Sequence, residues 1–325
     1  MTASIAYRPS WLVRLGRLAV NLAVGTLLAT QAITSILALG WLTRRMGWIT
    51  RTRMGAAEDA PGWLLGPREK GRVARALGGL AANVRAGAIT LVALMTWTLP
   101  FTILWIGAWW AGWENSFNKG YEQAFVGPSV FLIGMALAAM ILPFLPLMLA
   151  HVATEDRLSA AYELRRIKGV MVQSRWRLAW LAAVTLLLAT LFFAARGVIT
   201  MGPEFFPGLE DMTSRQVADL KGQIFLAMAI ISFVGLYLLR GMAARIYAFA
   251  APRAAGLRPG LWDGSVASDA AAPAKAQARM ATFLWVALAM MANGAFAFVI
   301  LSTQFLDHAW WRWITHPLFA LPWPG

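Results

Sequence analysis

The sequence contains no cysteine and only three histidines, at positions 151, 308 and 316. The first absence excludes disulfides, thiolate zinc sites, iron–sulfur clusters and cysteine nucleophiles. The second leaves no pair of facing intramembrane histidines to hold a haem across a bilayer. Asp307, His308 and His316 fit no helical ligand spacing, so no cofactor and no metal is expected. Charge is scarce as well: 14% of the residues are charged, where soluble domains carry about 25%. No HExxH, GxSxG or Walker-type glycine loop occurs, so the common hydrolase and nucleotide-binding signatures are missing.

What is abundant is apolar length. Hydrophobic residues make up 59% of the 325-residue chain and the mean hydropathy is +0.59. They gather in six blocks, at about 18–43, 86–111, 126–150, 178–200, 223–249 and 281–306. At about 1.5 Å per helical residue, each can cross a hydrocarbon core of about 30 Å. Ala38-Leu39-Gly40 resembles a signal-peptide cleavage site, but the apolar run before it is too long and Arg44-Arg45 follows directly, so a retained helix is expected. The pattern predicts an all-α integral membrane protein, a single polytopic domain over 1–325 built as a bundle of six transmembrane helices. The first block is the most polar, with Asn21, Gln31, Thr34 and Ser35, and Arg8, Arg14 and Arg17 lie at its start. A five-span alternative therefore lays that block on or into the membrane surface.

Charge sets the orientation. Segments 44–85, 153–177 and 240–280 carry 21 Lys or Arg, whereas 112–125, 201–222 and 307–325 carry 4. Basic residues stay on the cytoplasmic side of membrane proteins. Loops 44–85, 153–177 and 250–280 are thus expected in the cytoplasm of a bacterial-type inner membrane, with the C-terminus outside. The net charge of +14 is then a topology signal and a contact with the anionic cytoplasmic leaflet, not a nucleic-acid surface. Other integral membrane proteins are the second class of partner expected.

The basic segments differ in character. Over 154–175, Ala160, Ala161, Leu164, Ile167 and Met171 recur at helical spacing, with Glu155, Glu163, Arg165 and Arg166 away from them. That predicts one amphipathic helix on the cytoplasmic membrane surface. Residues 252–280, rich in Ala, Gly and Pro, read as a flexible linker. Within 44–85, Pro61 and Pro67 break any long helix, and Trp63 with Leu64-Leu65 is expected to dip into the headgroups. The stretch SAAYELRRIKGVMVQSRWRLAWL resembles the cytoplasmic coupling loop of transporter permeases in placement, yet Ser159-Ala160-Ala161 lacks the acidic start and Gly169 lies too far on. No function is carried over from it.

A charge inside a span costs at least about 2.5–3.5 kcal/mol, which makes intramembrane ionisable residues functional suspects. The central parts of the six blocks hold no Asp, Glu, Lys or His, which disfavours a proton-driven pump. The candidates lie near block ends. Arg196 snorkels outward or meets Glu204 or Glu210. Arg240 and Arg245 reach cytoplasmic anionic lipid. Glu155 and Asp156 pair with Arg157 or Arg165, and Arg166 belongs to the same basic face. An enzyme acting on lipids would need Glu155, Asp156 or His151 in one pocket. Pro100, Pro143 and Pro146 kink the second and third blocks, which opens the prospect of a ligand cavity between them. Gly25 with Ala29 and Gly134 with Ala138 form small-xxx-small pairs suited to close helix contact. Trp310, Trp311 and Trp313 tie the outer C-terminal tail to the interface or present a docking face. This inventory points first to a non-catalytic scaffold, assembly factor or accessory subunit of a membrane complex. The alternative is a transporter or permease component for an apolar or amphipathic, lipid-like solute.

Overall fold

The computed structural model describes residues 11–63, 71–108, 126–200, 208, 211–275 and 278–307, with the side chains of 192–200 and 295–307 and a few others outside the description. Among the described residues the regular elements are all helical, with no strand. The order is α1 (Trp11–Ala29), α2 (Ala32–Arg53), α3 (Arg72–Ala108), α4 (Val126–Ile141), α5 (Leu145–Glu155), a 3-10 turn (Leu158–Tyr162), α6 (Leu164–Val172), α7 (Arg175–Thr200), α8 (Ser214–Leu257), a short 3-10 turn (Pro259–Leu261) and α9 (Arg279–Asp307).

The first apolar block is two helices, not one. Gln31 is extended at φ −124° and ψ 139°, and hydroxyls satisfy the carbonyls that the break exposes. The Thr30 hydroxyl donates to the Leu27 carbonyl at 2.7 Å, and that of Thr34 to the Leu28 carbonyl at 2.7 Å. α2 then runs on through Arg44 and Arg45 to Arg53, well inside the segment expected as a loop. The third block is bent as its prolines predict. α4 stops at Ile141, α5 restarts at Leu145 with Pro146 in its first turn, and the two axes differ by 47°. Pro100, by contrast, is carried within a continuous α3.

Among the described residues, three segments are long and apolar enough to cross a membrane: α1, α3 and Ala229–Leu257 of α8; the bent α4–α5 pair makes a fourth if it counts as one span. That is fewer than the six expected. α2 drops out because four arginines, 44, 45, 51 and 53, interrupt its apolar surface. The fourth and sixth blocks fall on α7 and α9, whose side chains are described only as far as 191 and 294.

The main core lies at the end of the bundle where the three basic segments meet. α5 is buried almost all round, from Leu145 through Thr154, as expected of a helix packed on every side. The segment expected on a membrane surface instead closes this end. Ala160, Ala161 and Ile167 are fully buried, packed in one cluster with Tyr247 and Ala251 of α8. Of that stripe, Leu164 is the residue left exposed. Residues 252–275 differ likewise from the flexible linker expected. α8 continues through Pro252 to Leu257, and the strap beyond it is pinned by Trp262, only 1% exposed. The Ala272 amide donates to the Pro252 carbonyl at 3.0 Å, and the Lys275 amide to Gln173 Oε1 at 3.0 Å.

A second strap, Pro61-Gly62-Trp63, lies in an aromatic cradle rather than among headgroups. The Trp63 ring stacks on Trp41 with centroids 4.3 Å apart and planes 14° from parallel. Trp41 Nε1 donates to the Pro61 carbonyl at 3.1 Å, and Trp63 Nε1 to Asn21 Oδ1 at 2.9 Å. Leu64 and Leu65 lie outside the described residues.

Candidate functional site

Three elements converge on His151. It stands on α5, whose bend after Pro143 turns this helix into the centre of the basic end. The side chain is fully buried. Its Nδ1 lies 2.6 Å from the Tyr247 hydroxyl of α8, and its Nε2 lies 2.8 Å from Glu163 Oε2, at the start of α6. An ionised carboxylate has no proton to give. The consistent assignment is Nε2–H donating to Glu163, with Nδ1 accepting from the Tyr247 O–H. Glu163 is held in turn by Arg157 and by Arg166, the latter at 2.8 Å. Arg166 Nε donates to the Leu261 carbonyl at 2.7 Å, which fixes the strap carrying Trp262. The indole of Trp262 meets the His151 ring edge-on with centroids 6.0 Å apart. Burial pushes the Glu163 carboxyl up, but hydrogen bonds from His151 and Arg157 and the charge of Arg166 outweigh it, so the net shift is downward.

A second set of contacts ties α2 to the same end. Arg51 Nη1 donates to the carbonyls of Ala153 and Thr154 at 3.1 and 3.2 Å, supplying a cation to the last turn of α5, where carbonyls are otherwise unpaired. The same guanidinium grips Glu58 through two bonds of 2.7 and 3.0 Å. The hydroxyls of Thr50 and Thr154 are 2.7 Å apart. Deeper in, Arg240 of α8 is 6% exposed and donates to the Thr43 hydroxyl at 3.2 Å. Thr43 pairs with Thr90 of α3 at 2.7 Å. The Arg240 Nε has no hydrogen-bond partner, and no carboxylate pairs with this guanidinium among the described residues.

No protein-family model, no curated protein and no solved structure matches this chain. Any functional reading therefore rests on the geometry. Both nitrogens of His151 are committed and its side chain is sealed, so the arrangement suits clamping helices together rather than meeting a substrate.

The residues singled out from the sequence are dispersed. Asp156 turns away from His151 to Arg85, 2.7 Å off, in an exposed ion pair, so the expected pairing with Arg157 or Arg165 does not form. One oxygen of Glu155 is buried without a partner. The three groups that a lipid enzyme would need thus share no pocket among the described residues. Arg166 joins the clamp, whereas Arg165 is exposed. Arg240 turns inward rather than out to headgroups, and Arg245 is exposed on the same helix. Pro100 lines an open apolar groove of about 360 Å³ made by Val92, Met95, Thr96, Leu99 and Ile103, all on α3 itself. Between α3 and α4, Phe101, Trp105 and Ala138 pack on one another. The Arg196 side chain and Trp310, Trp311 and Trp313 lie outside the described residues.

Tyr247, Glu163, Trp262 and Arg51 carry the contacts and were not singled out. Tyr247 is one of two tyrosines in its apolar block, in a chain with 5 tyrosines and 17 tryptophans, and that is the one sequence signal that marks any of them. A buried hydroxyl needs a partner, and His151 is the histidine nearest an apolar block.

Proposed function

We propose that the chain is a multi-pass protein of a bacterial-type inner membrane that works as a scaffold, assembly factor or accessory subunit of a membrane complex. Its basic end lies in the cytoplasm, with six spans, or five if α1 rests on the surface. The observation that carries this reading is the way side-chain chemistry is used. His151, Glu163, Arg166 and Arg51 are all spent on joining α2, α5, α6, α8 and the 258–275 strap into one rigid cap. A rigid cap with an exposed basic surface, including Arg165 and Lys168, suits docking to other proteins at the membrane face. The apolar flanks of α1 and α3 suit lipid or neighbouring helices.

The test is purification in a gentle detergent after cross-linking in intact membranes. The expected result is a stable membrane-protein partner that co-purifies in fixed ratio. Monomer alone, from both cross-linked and untreated membranes, overturns the reading. The transporter alternative drew on a cavity between the kinked helices, and the packing of Phe101, Trp105 and Ala138 offers it no support.

A further inference from the structure

Where α7 begins, two arginines from two helices stack on one aromatic ring. Arg253 folds back along α8, and its guanidinium carbon lies 3.8 Å from the centroid of Phe249. Arg177, in the first turn of α7, places its own 3.5 Å from the same centroid. Two guanidinium groups that close to one ring cannot share a face, so they sandwich it. Arg53, at the end of α2, adds a third positive charge that acts on Arg177. None of the three forms an ion pair among the described residues, and Arg177 makes no hydrogen bond there.

Arg53 and Arg177 are exposed and Arg253 is half-buried, yet several features set this cluster apart from scattered surface arginines. Desolvation, and then the charges of Arg253 and Arg53, hold the Arg177 guanidinium below its ordinary value. The first turn of α7 contains no acid, although a helix N-terminus is itself positive and favours anions. Arg175 and Arg177 stand there instead, so the helix field and the side chains add. Stacking on Phe249 fixes the orientation of both forks and leaves most of their N–H donors free, and such forks match phosphate oxygens two at a time. Trp176 and Trp180 beside them are 50% and 66% exposed, as tryptophans are at headgroup level.

We propose that Arg177 and Arg253, stacked on Phe249, form a site for the phosphodiester of an anionic phospholipid at the basic end of the bundle, with the charge of Arg53 added from the end of α2. The site rests on the membrane reading above. It assigns a particular lipid contact to a particular place, where guanidinium groups without a carboxylate partner among the described residues attract an anion and exposed tryptophans flank them.

The test uses the full-length protein. Carbonate extraction of membranes comes first: release without detergent overturns the membrane reading and the site with it. For protein that stays integral, native mass spectrometry after delipidation counts retained phosphatidylglycerol. Thermal unfolding is then followed in micelles doped with phosphatidylglycerol or with phosphatidylcholine. Wild type is expected to retain the anionic lipid and to be stabilised by it selectively. Each arginine near an anionic surface contributes about fivefold in affinity, so Arg177→Gln with Arg253→Gln weakens binding about thirtyfold. Arg258→Gln, on the same helix end but away from Phe249, keeps wild-type retention. Equal stabilisation by both lipids in wild type overturns the site without recourse to any variant. Equal protection by inorganic phosphate in phosphatidylcholine micelles overturns it as a lipid site.

Discussion

At the scale of single residues, the clamp depends on His151 having a partner at each ring nitrogen. Tyr247→Phe removes only the hydroxyl, leaving a buried nitrogen unpaired in place of a 2.6 Å bond. The expected loss is about 1–3 kcal/mol, read as the unfolding midpoint in detergent, and an unchanged midpoint would contradict the clamp. Glu163 brings a pH dependence whose sign is fixed by its lowered carboxyl. A group with a depressed folded value stabilises above its ordinary value, near 4.3 for glutamate, and loses that contribution as acid titrates it. Wild type should therefore lose stability between about pH 5 and pH 3 more steeply than Glu163→Gln; parallel acid limbs would show that the carboxylate contributes nothing. Arg240 behaves oppositely to a paired charge. It is buried on one hydrogen bond to Thr43 with its Nε unpartnered, and apolar replacements of buried charges are often neutral or stabilising. Arg240→Met should hold or raise the midpoint in the same assay, and a drop of more than about 1 kcal/mol would reveal a favourable role for the charge.

At the scale of helices, small residues set how closely α2 approaches its neighbours. A methyl group at Gly40 would overlap the Asn83 carbonyl of α3, and one at Gly87 would overlap the Ile36 carbonyl. Gly47 stands likewise against the Ala153 carbonyl of α5. Gly40→Ala should cost about 1–3 kcal/mol through overpacking, whereas Gly78→Ala on α3, where nothing lies within 4 Å, should gain up to about 1 kcal/mol from helix propensity. Similar shifts at both sites would remove the close-contact account. The two pairs picked out beforehand do lie at contacts: Gly25 faces Phe233 and Gly134 faces Trp105. The close backbone-to-backbone contacts were missed because Gly40 and Gly87 belong to no small-xxx-small pair singled out in the sequence. Helix ends were legible where a local rule governs them, as at the Pro143–Pro146 bend. They were illegible where tertiary contacts decide. α2 survives four arginines because Arg44 reaches Asn83 Oδ1 at 2.8 Å, Arg45 lies 3.7 Å over the Tyr237 ring, and Arg51 caps α5. The clamp itself joins His151 to residues 12 and 96 positions away, and no spacing rule connects those distances.

At the scale of the whole molecule, the three basic segments were separated in the sequence only by their charge, and the structure gathers them. Arg51 bonds to residues 153 and 154, Arg85 to Asp156, and Arg166 to residues 261 and 263. Segments in mutual contact must lie on one side of any membrane, which turns the counted bias of 21 against 4 into a constraint on topology. The natural absence of cysteine makes that constraint testable with single substitutions on an otherwise unreactive chain. Ala57→Cys and Ala271→Cys probe two of the gathered segments at exposed positions, and Ser214→Cys probes the exposed start of α8 in an acid-rich segment. An impermeant maleimide applied to intact spheroplasts should label Ser214→Cys and spare the other two until the cells are lysed. If Ala57 and Ala271 report opposite sides, the gathered end cannot be a membrane-flanking cap; if all three label before lysis, the orientation inferred from charge is wrong.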